Sequence, residues 1–248
     1  MNAKRPGRIS LSWPLDVRPC FSRLPLLSLT SYAGIYASEY TPDRTEISSA
    51  PFTEDDVANF GGSFYSYTKS RVEDVLKCYP HCLVLRLRMP VSDDLHARNF
   101  VTKIANYAKI VNIPNSNSIL HDLLPVAIAL AEHDETGVFN FTNPGCISHN
   151  EVMELYRDVI DPSKKWENFT LEEQSEVIVA GRSNCELDSS KLMRKVKQYV
   201  VEGYHLDVPE IHEAYRRCFT RMKENMQQHA GAPNGTARES RVVRESLP

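Results

Sequence analysis

The sequence predicts an α/β fold: a parallel sheet with helices on its faces, followed by further helices. Between about residues 24 and 142, short apolar runs of strand length alternate with longer runs of helical period. Strands and helices in alternation argue for a parallel sheet with helices on its faces. Beyond them, Ser148-His-Asn-Glu151 and Thr170-Leu-Glu-Glu173 are capping boxes, each opening a further helix.

Residues 24–33 are apolar and form the first strand, ending at Gly34. Residues 41–63 are polar and turn-rich, so they form a long loop. It leads to Tyr65 and to a helix over residues 68–77. Residues 82–90 form a strand stopped by Pro90. Residues 99–107 are helical and 109–113 a short strand. Residues 120–132 form a largely buried helix, and 137–142 the next strand. Asn143-Pro-Gly145 turns the chain into the helix capped by Ser148, which Asp161-Pro162 ends.

Net charge is -3 with no large basic block, which argues against a nucleic-acid groove. No apolar run approaches the ~18–20 residues of a membrane span. The six cysteines are scattered without Cys-x-x-Cys spacing, so zinc is not expected and a reducing, cytoplasmic compartment is. Residues 1–30 carry Lys4, Arg5, Arg8, Arg18 and Arg23 against one acid, Asp16. Four prolines break any amphipathic presequence helix there, so this segment is expected to be a divergent, disordered leader. Past Met222 the composition predicts a disordered tail over 223–248. The domain proper is then 31–222.

Tyr65 and Lys69 stand four apart, on one helical face. A phenol beside an ammonium suits carbonyl reduction. The phenol gives a proton to the oxygen as hydride reaches the carbon, and the ammonium lowers the phenol pKa from about 10. Taken alone the spacing is weak. Eleven tyrosines and eleven lysines in 248 residues give about half a match by chance. An ordinary amphipathic helix explains it equally.

The wider pattern decides. Ser63-Phe-Tyr-Ser-Tyr-Thr-Lys69, Leu85-Arg-Leu-Arg-Met-Pro90, Arg98-Asn-Phe-Val-Thr-Lys-Ile104, Val111-Asn-Ile-Pro-Asn-Ser116, Asn140-Phe-Thr-Asn-Pro-Gly145, Ser148-His-Asn-Glu151, Asn168-Phe-Thr-Leu-Glu-Glu-Gln174 and Arg182-Ser-Asn-Cys-Glu-Leu-Asp188 occur in this order. Together they resemble the 3,5-epimerase/4-reductases of nucleotide-rhamnose synthesis, the final domain of plant UDP-rhamnose synthases. These are extended short-chain dehydrogenases, near dTDP-4-dehydrorhamnose reductase. The resemblance covers residues 32–192. It implies a partial Rossmann-like parallel sheet with flanking helices and a small C-terminal substrate-binding part.

It also implies a function: NADPH-dependent reduction at C4 of UDP- or dTDP-4-keto-6-deoxyglucose, with epimerisation at C3 and C5, giving nucleotide-L-rhamnose. The nicotinamide is expected to be NADPH, with NAD as the alternative. Tyr65 is then the proton donor, and Lys69 orients the nicotinamide ribose. Lys103 matches a lysine implicated in epimerisation, with a solvated helix residue as the alternative. Met89 and Pro90 fall where a strand's carboxyl end meets the nicotinamide. Arg182 and Asn184 lie in the segment expected to hold the nucleotide diphosphate, although for Arg182 a surface salt bridge serves as well. A homodimer is a further expectation.

The chain departs from that pattern twice. The family opens with a glycine-rich turn between strand and helix that holds the cofactor pyrophosphate. Here only Gly7 precedes Gly34, so the amino-terminal nucleotide-binding half is expected to be missing, and NADPH binding by this chain alone to be weak. The family also carries Thr-Gly-Cys after the strand preceding the long loop. With Glu39-Tyr40 in register, Gly34 takes the Thr position and Tyr36 the Cys position. Thr30, Ser31 and Ser38 are alternative hydroxyls, and no cysteine is expected nearby. Two readings follow: an enzyme of nucleotide-sugar metabolism, or a non-catalytic regulatory or binding protein built on a dehydrogenase remnant.

Overall fold

A computed structural model describes residues 26–30, 34–94, 96–170, 172–173 and 183–230. The first strand, β1 (Leu26–Thr30), pairs in parallel with β2 (Cys82–Arg86), which pairs in parallel with β4 (Gly137–Asn140). The order is β1-β2-β4, with Leu29 opposite Leu85 and Leu85 opposite Phe139. A separate parallel pair joins β3 (Lys109–Ile110) to β5 (Glu167–Asn168). The helices are α1 (Phe64–Leu76), α2 (Phe100–Ala105), α3 (Leu120–Glu132), α4 (His149–Val159), α5 (Ser190–Val201) and α6 (Ile211–Ala230). The α/β architecture and parallel sheet are as the sequence predicts. β1 lies within the segment read as a leader, so that segment is in part sheet.

β2 is buried along its whole length, and its period of two divides its side chains between two layers. Leu83, Leu85 and Leu87 pack against Leu123, Val126 and Leu130 of α3 and Leu192, Val196 and Tyr199 of α5. Cys82 and Val84 face the other way, towards Leu76 of α1. A second apolar cluster joins α2, α4 and α6 through Val101, Ile104, Val152, Met153, Tyr215 and Phe219. This is the smaller carboxy-terminal part.

The helix over α1 starts earlier than the sequence suggests, because Ser63 caps it by accepting from the Ser66 amide at 3.1 Å. Tyr65 therefore lies in its first turn. The buried residues of α1 are Ser66, Ser70 and Glu73, while Phe64, Val72 and Val75 are exposed. The helix thus turns a polar stripe inward. Small serines let it approach the sheet, and Glu73 meets Arg86, the last residue of β2. The guanidinium donates through Nε to Oε2 at 2.9 Å and through Nη2 to Oε1 at 2.6 Å. Its remaining donors reach the Asn140 Oδ1 of β4 at 3.2 Å and the Thr53 and Glu54 carbonyls at 3.3 Å. Burial opposes the charge on Glu73, but the Arg86 bonds outweigh it, with Lys77 adding, and hold the carboxyl below its usual value.

Two further corrections concern helices. α3 is buried on one face only, with Leu124 and Ile128 exposed. α6 continues to Ala230, eight residues past Met222, where a disordered tail was expected to begin. Arg221 anchors it to Asp93 at 3.1 Å, and Asn225 donates to the Asp93 carbonyl at 3.4 Å. Residues 231–248 lie outside the described residues, as do residues 1–25. The Ser148 capping box is present in both halves, at 2.7 and 3.2 Å. The Thr170/Glu173 box is likewise reciprocal, at 2.9 and 3.2 Å.

At the end of α3, His133 stacks on Tyr199 with ring centroids 4.0 Å apart. Nδ1 faces the Ala129 carbonyl at 2.7 Å and Nε2 faces the Glu202 carboxylate at 2.8 Å. With an acceptor at each nitrogen the imidazolium is favoured, the Ala129 carbonyl being the main cause, and its pKa rises above 6.5. A raised folded value stabilises fully below the unfolded value of about 6.5 and is lost as pH climbs through the folded one.

Two outcomes are expected. Glu73→Ala strands a buried guanidinium and should cost about 3–5 kcal/mol in denaturant unfolding, whereas Glu73→Leu/Arg86→Met together should cost less. A loss under about 1 kcal/mol for Glu73→Ala would contradict the role given to the pair. Thermal stability should fall between pH 6 and pH 8 by more in the wild type than in His133→Gln. Equal pH slopes in both proteins would remove the His133 contribution.

Candidate functional site

α1 runs antiparallel to β2, so its amino-terminal end overhangs the carboxyl edge of the sheet. Glu73 contacts the last residue of β2, and Tyr65 lies eight residues earlier, about 12 Å further along the helix axis. Tyr65 is 47% exposed. Lys69 places its ammonium 5.6 Å from the Tyr65 ring centroid, so the two side chains meet as the four-residue spacing requires. No ion pair among the described residues engages Lys69. Tyr67 forms a separate pair, with the Arg71 guanidinium 5.3 Å from its ring centroid.

The same edge carries Met89 and Pro90. Met89 has φ 40°, a left-handed conformation that side chains rarely adopt. Its neighbours hold it there. Ser118 Oγ accepts from the Arg88 amide at 3.0 Å, Ser118 N donates to the Arg88 carbonyl at 2.8 Å, and the Asn117 amide reaches the Met89 carbonyl at 3.4 Å. Such strain persists only where surrounding contacts over-determine it, and it gathers at ligand sites. Pro90 is exposed beside it.

Lys103 is on α2. It is exposed, the inner face of α2 being Val101 and Ile104, and no described contact joins it to Tyr65. Asn184 is held by a network that motif reading passed over. Buried Arg88 donates from Nη2 to the Asn115 Oδ1 at 2.6 Å and to the Ser183 carbonyl. Asn115 Nδ2 then donates to the Asn184 Oδ1 at 3.2 Å, and Ser38 N to the Asn184 carbonyl at 2.9 Å. Arg182 lies outside the described residues. The alternation Leu85-Arg-Leu-Arg88 was the available signal, since it puts both arginines on the non-leucine face of one strand.

No protein-family model matches the chain. A bifunctional dTDP-4-dehydrorhamnose 3,5-epimerase/dTDP-4-dehydrorhamnose reductase of Arabidopsis thaliana is 56% identical over 167 residues, covering 67% of this chain and 56% of that protein. A solved UDP-rhamnose synthase from Acanthamoeba polyphaga mimivirus has a TM-score of 0.69 at 36% identity, covering 79% of this chain and 64% of that one. The chain is homologous to part of the nucleotide-rhamnose epimerase/reductases. It spans about half the length of the plant relative. A dTDP-4-dehydrorhamnose reductase from Bacillus anthracis, in complex with NADP, shares the fold at 15% identity, with a TM-score of 0.56 and coverage of 78% of this chain and 64% of that one.

Tyr36 is the residue that the register on Glu39-Tyr40 expects at a cysteine position. Its side chain is fully buried, stacked on Phe52 at 4.5 Å, and its hydroxyl donates to the Asp56 carbonyl at 2.8 Å. Burial, the largest cause, pushes this phenol up to about 12 despite the nearby Arg86 charge. Tyr36 is therefore a packing residue. The structure does bring a thiol close, contrary to the sequence expectation: Cys185 shares the Tyr36 cluster. Burial raises its pKa, which keeps it protonated. Tyr36→Phe should cost about 0.5–1.5 kcal/mol in unfolding, the net worth of one hydrogen bond. A destabilisation above about 3 kcal/mol would show that the phenol does more than hold Asp56.

Proposed function

We propose that the chain serves the NADPH-dependent reduction of a nucleotide-linked 4-keto-6-deoxyhexose, UDP- or dTDP-linked, towards nucleotide-L-rhamnose. The observation carrying this is the Tyr65/Lys69 pair at the overhanging end of α1, in a chain 56% identical over 167 residues to a plant epimerase/reductase. The described residues fit the nicotinamide end of the cofactor: a half-exposed phenol, an ammonium outside any described ion pair, and the strained Met89 beside Pro90. When bound, a nicotinamide supplies hydride to C4. Tyr65 donates its phenolic proton to the C4 oxygen, so ketone becomes alcohol. The Lys69 charge steadies the phenolate left behind and orients the nicotinamide ribose. Asn184 belongs to the substrate side, and Lys103 to epimerisation. The five described cysteines are unbridged, which supports a reducing, cytoplasmic compartment. No helix of the described residues is long and apolar enough to cross a membrane.

A second reading, that of a non-catalytic binding protein, draws on Tyr36. A buried phenol where the family has a thiol removes one acid/base group from epimerisation.

Cofactor oxidation with the keto-sugar nucleotide tests the reductase. Tyr65→Phe should lower turnover by about 100-fold or more, and Tyr67→Phe should leave it near wild type. Unchanged turnover in Tyr65→Phe would sink the assignment. Solvent-deuterium exchange at C3 and C5 should be slower than reduction. Rapid exchange at both carbons would restore a full epimerase.

A further inference from the structure

A pocket of about 250 Å³ opens between α2, α4, α6 and the turn at residues 161–164. None of Tyr65, Lys69, Met89, Lys103 and Asn184 lines it, so it is separate from the groups given to reduction and epimerisation. Drug-sized ligands take about 300–1,000 Å³, so this pocket suits a molecule smaller than a nucleotide.

Two opposite charges line the pocket and do not meet. Asp161 and Lys164 are both at its wall, yet among the described residues no ion pair joins them or takes either charge elsewhere. Each is held by partners of its own. Asp161 Oδ1 accepts from the Ser163 amide at 3.0 Å and from the Ser163 hydroxyl at 2.6 Å. The Lys164 ammonium donates to the Ala105 carbonyl, at the end of α2, at 2.5 Å. These anchors keep a carboxylate and an ammonium apart across one small space. The Tyr156 hydroxyl, on the same wall, has no hydrogen-bond partner among the described residues. Burial, with Asp161 adding, raises its pKa, so it stays a donor. Val101, Ala105 and Met222 supply the apolar part of the wall. A charge of each sign beside an apolar wall complements a zwitterion with an apolar side chain. A lone anion would meet Asp161 and a lone cation Lys164, each an unfavourable neighbour.

We propose that this pocket binds a free α-amino acid with an apolar side chain, its carboxylate on Lys164 and its ammonium on Asp161. The proposal is independent of the reductase reading, since it uses none of the same residues. Calorimetric titration of the full chain with L-phenylalanine, phenethylamine and hydrocinnamate tests it, the last two lacking the carboxylate and the ammonium respectively. L-Phenylalanine should bind about 10- to 100-fold more tightly than either, the worth of one charge-assisted contact. Lys164→Gln keeps a donor for the Ala105 carbonyl and should bring L-phenylalanine down to the level of phenethylamine. Asp161→Asn keeps an acceptor for Ser163 and should bring it down to the level of hydrocinnamate. Ala105→Leu fills the apolar side and should abolish binding of all three. The three-ligand comparison uses the wild-type chain, so it decides even where a variant folds poorly. Absence of saturable L-phenylalanine binding would overturn the proposal. So would equal affinity for the three ligands, or wild-type L-phenylalanine affinity in both Lys164→Gln and Asp161→Asn.

Discussion

The bidentate contact between Arg86 and Glu73 is the constraint on which the arrangement depends. α1 offers the sheet almost no apolar surface, because its inward stripe is Ser66, Ser70 and Glu73. Hydrophobic burial, which normally seats a helix on a sheet, therefore contributes little here. The position of the helix is set instead by one guanidinium that also binds Asn140 on β4 and the carbonyls of Thr53 and Glu54. A directional contact fixes rotation about the helix axis more tightly than a greasy stripe would. Tyr65 and Lys69 stand beside that stripe, so their aim is fixed from two turns away.

Arg88, two residues past the end of β2, repeats the device. It gathers Asn115 and Ser183, and through Asn115 it orients Asn184. Arg86 at the end of β2 and Arg88 two residues beyond it thus organise two groups of side chains, the first seating the helix of Tyr65 and Lys69 and the second orienting Asn184.

Local chemistry was legible in the sequence, and contacts between distant residues were not. Ser148 and Glu151 announce their helix because a capping box lies within four consecutive residues. Tyr65 and Lys69 meet because helical geometry guarantees it. Leu83 and Leu85 mark a buried strand by composition alone. Glu73 gives no such sign: an acid in a helix reads as solvated until Arg86 is known to lie beneath it. Residues past Met222 read as a tail because their Gln, Gly, Pro, Ser and Arg content is that of an unpacked segment, and the Asn225 contact with the Asp93 carbonyl is what shows α6 continuing against the domain. Cys185 could not be placed beside Tyr36, since 148 residues separate it from that part of the chain.

The three-stranded sheet has unlike flanks. On β4, the outward Asn140 amide is taken by the Glu54 carboxylate at 2.9 Å and the Val138 carbonyl by the Lys191 ammonium at 2.6 Å. Side chains thus stand where a neighbouring strand's backbone would be, and a strand arriving there would have to displace two charged groups from good bonds. The other flank, β1, is joined to β2 on its inner side. The sheet is therefore terminated in one direction, and any strand added to it, from this chain or another, is steered to the β1 side.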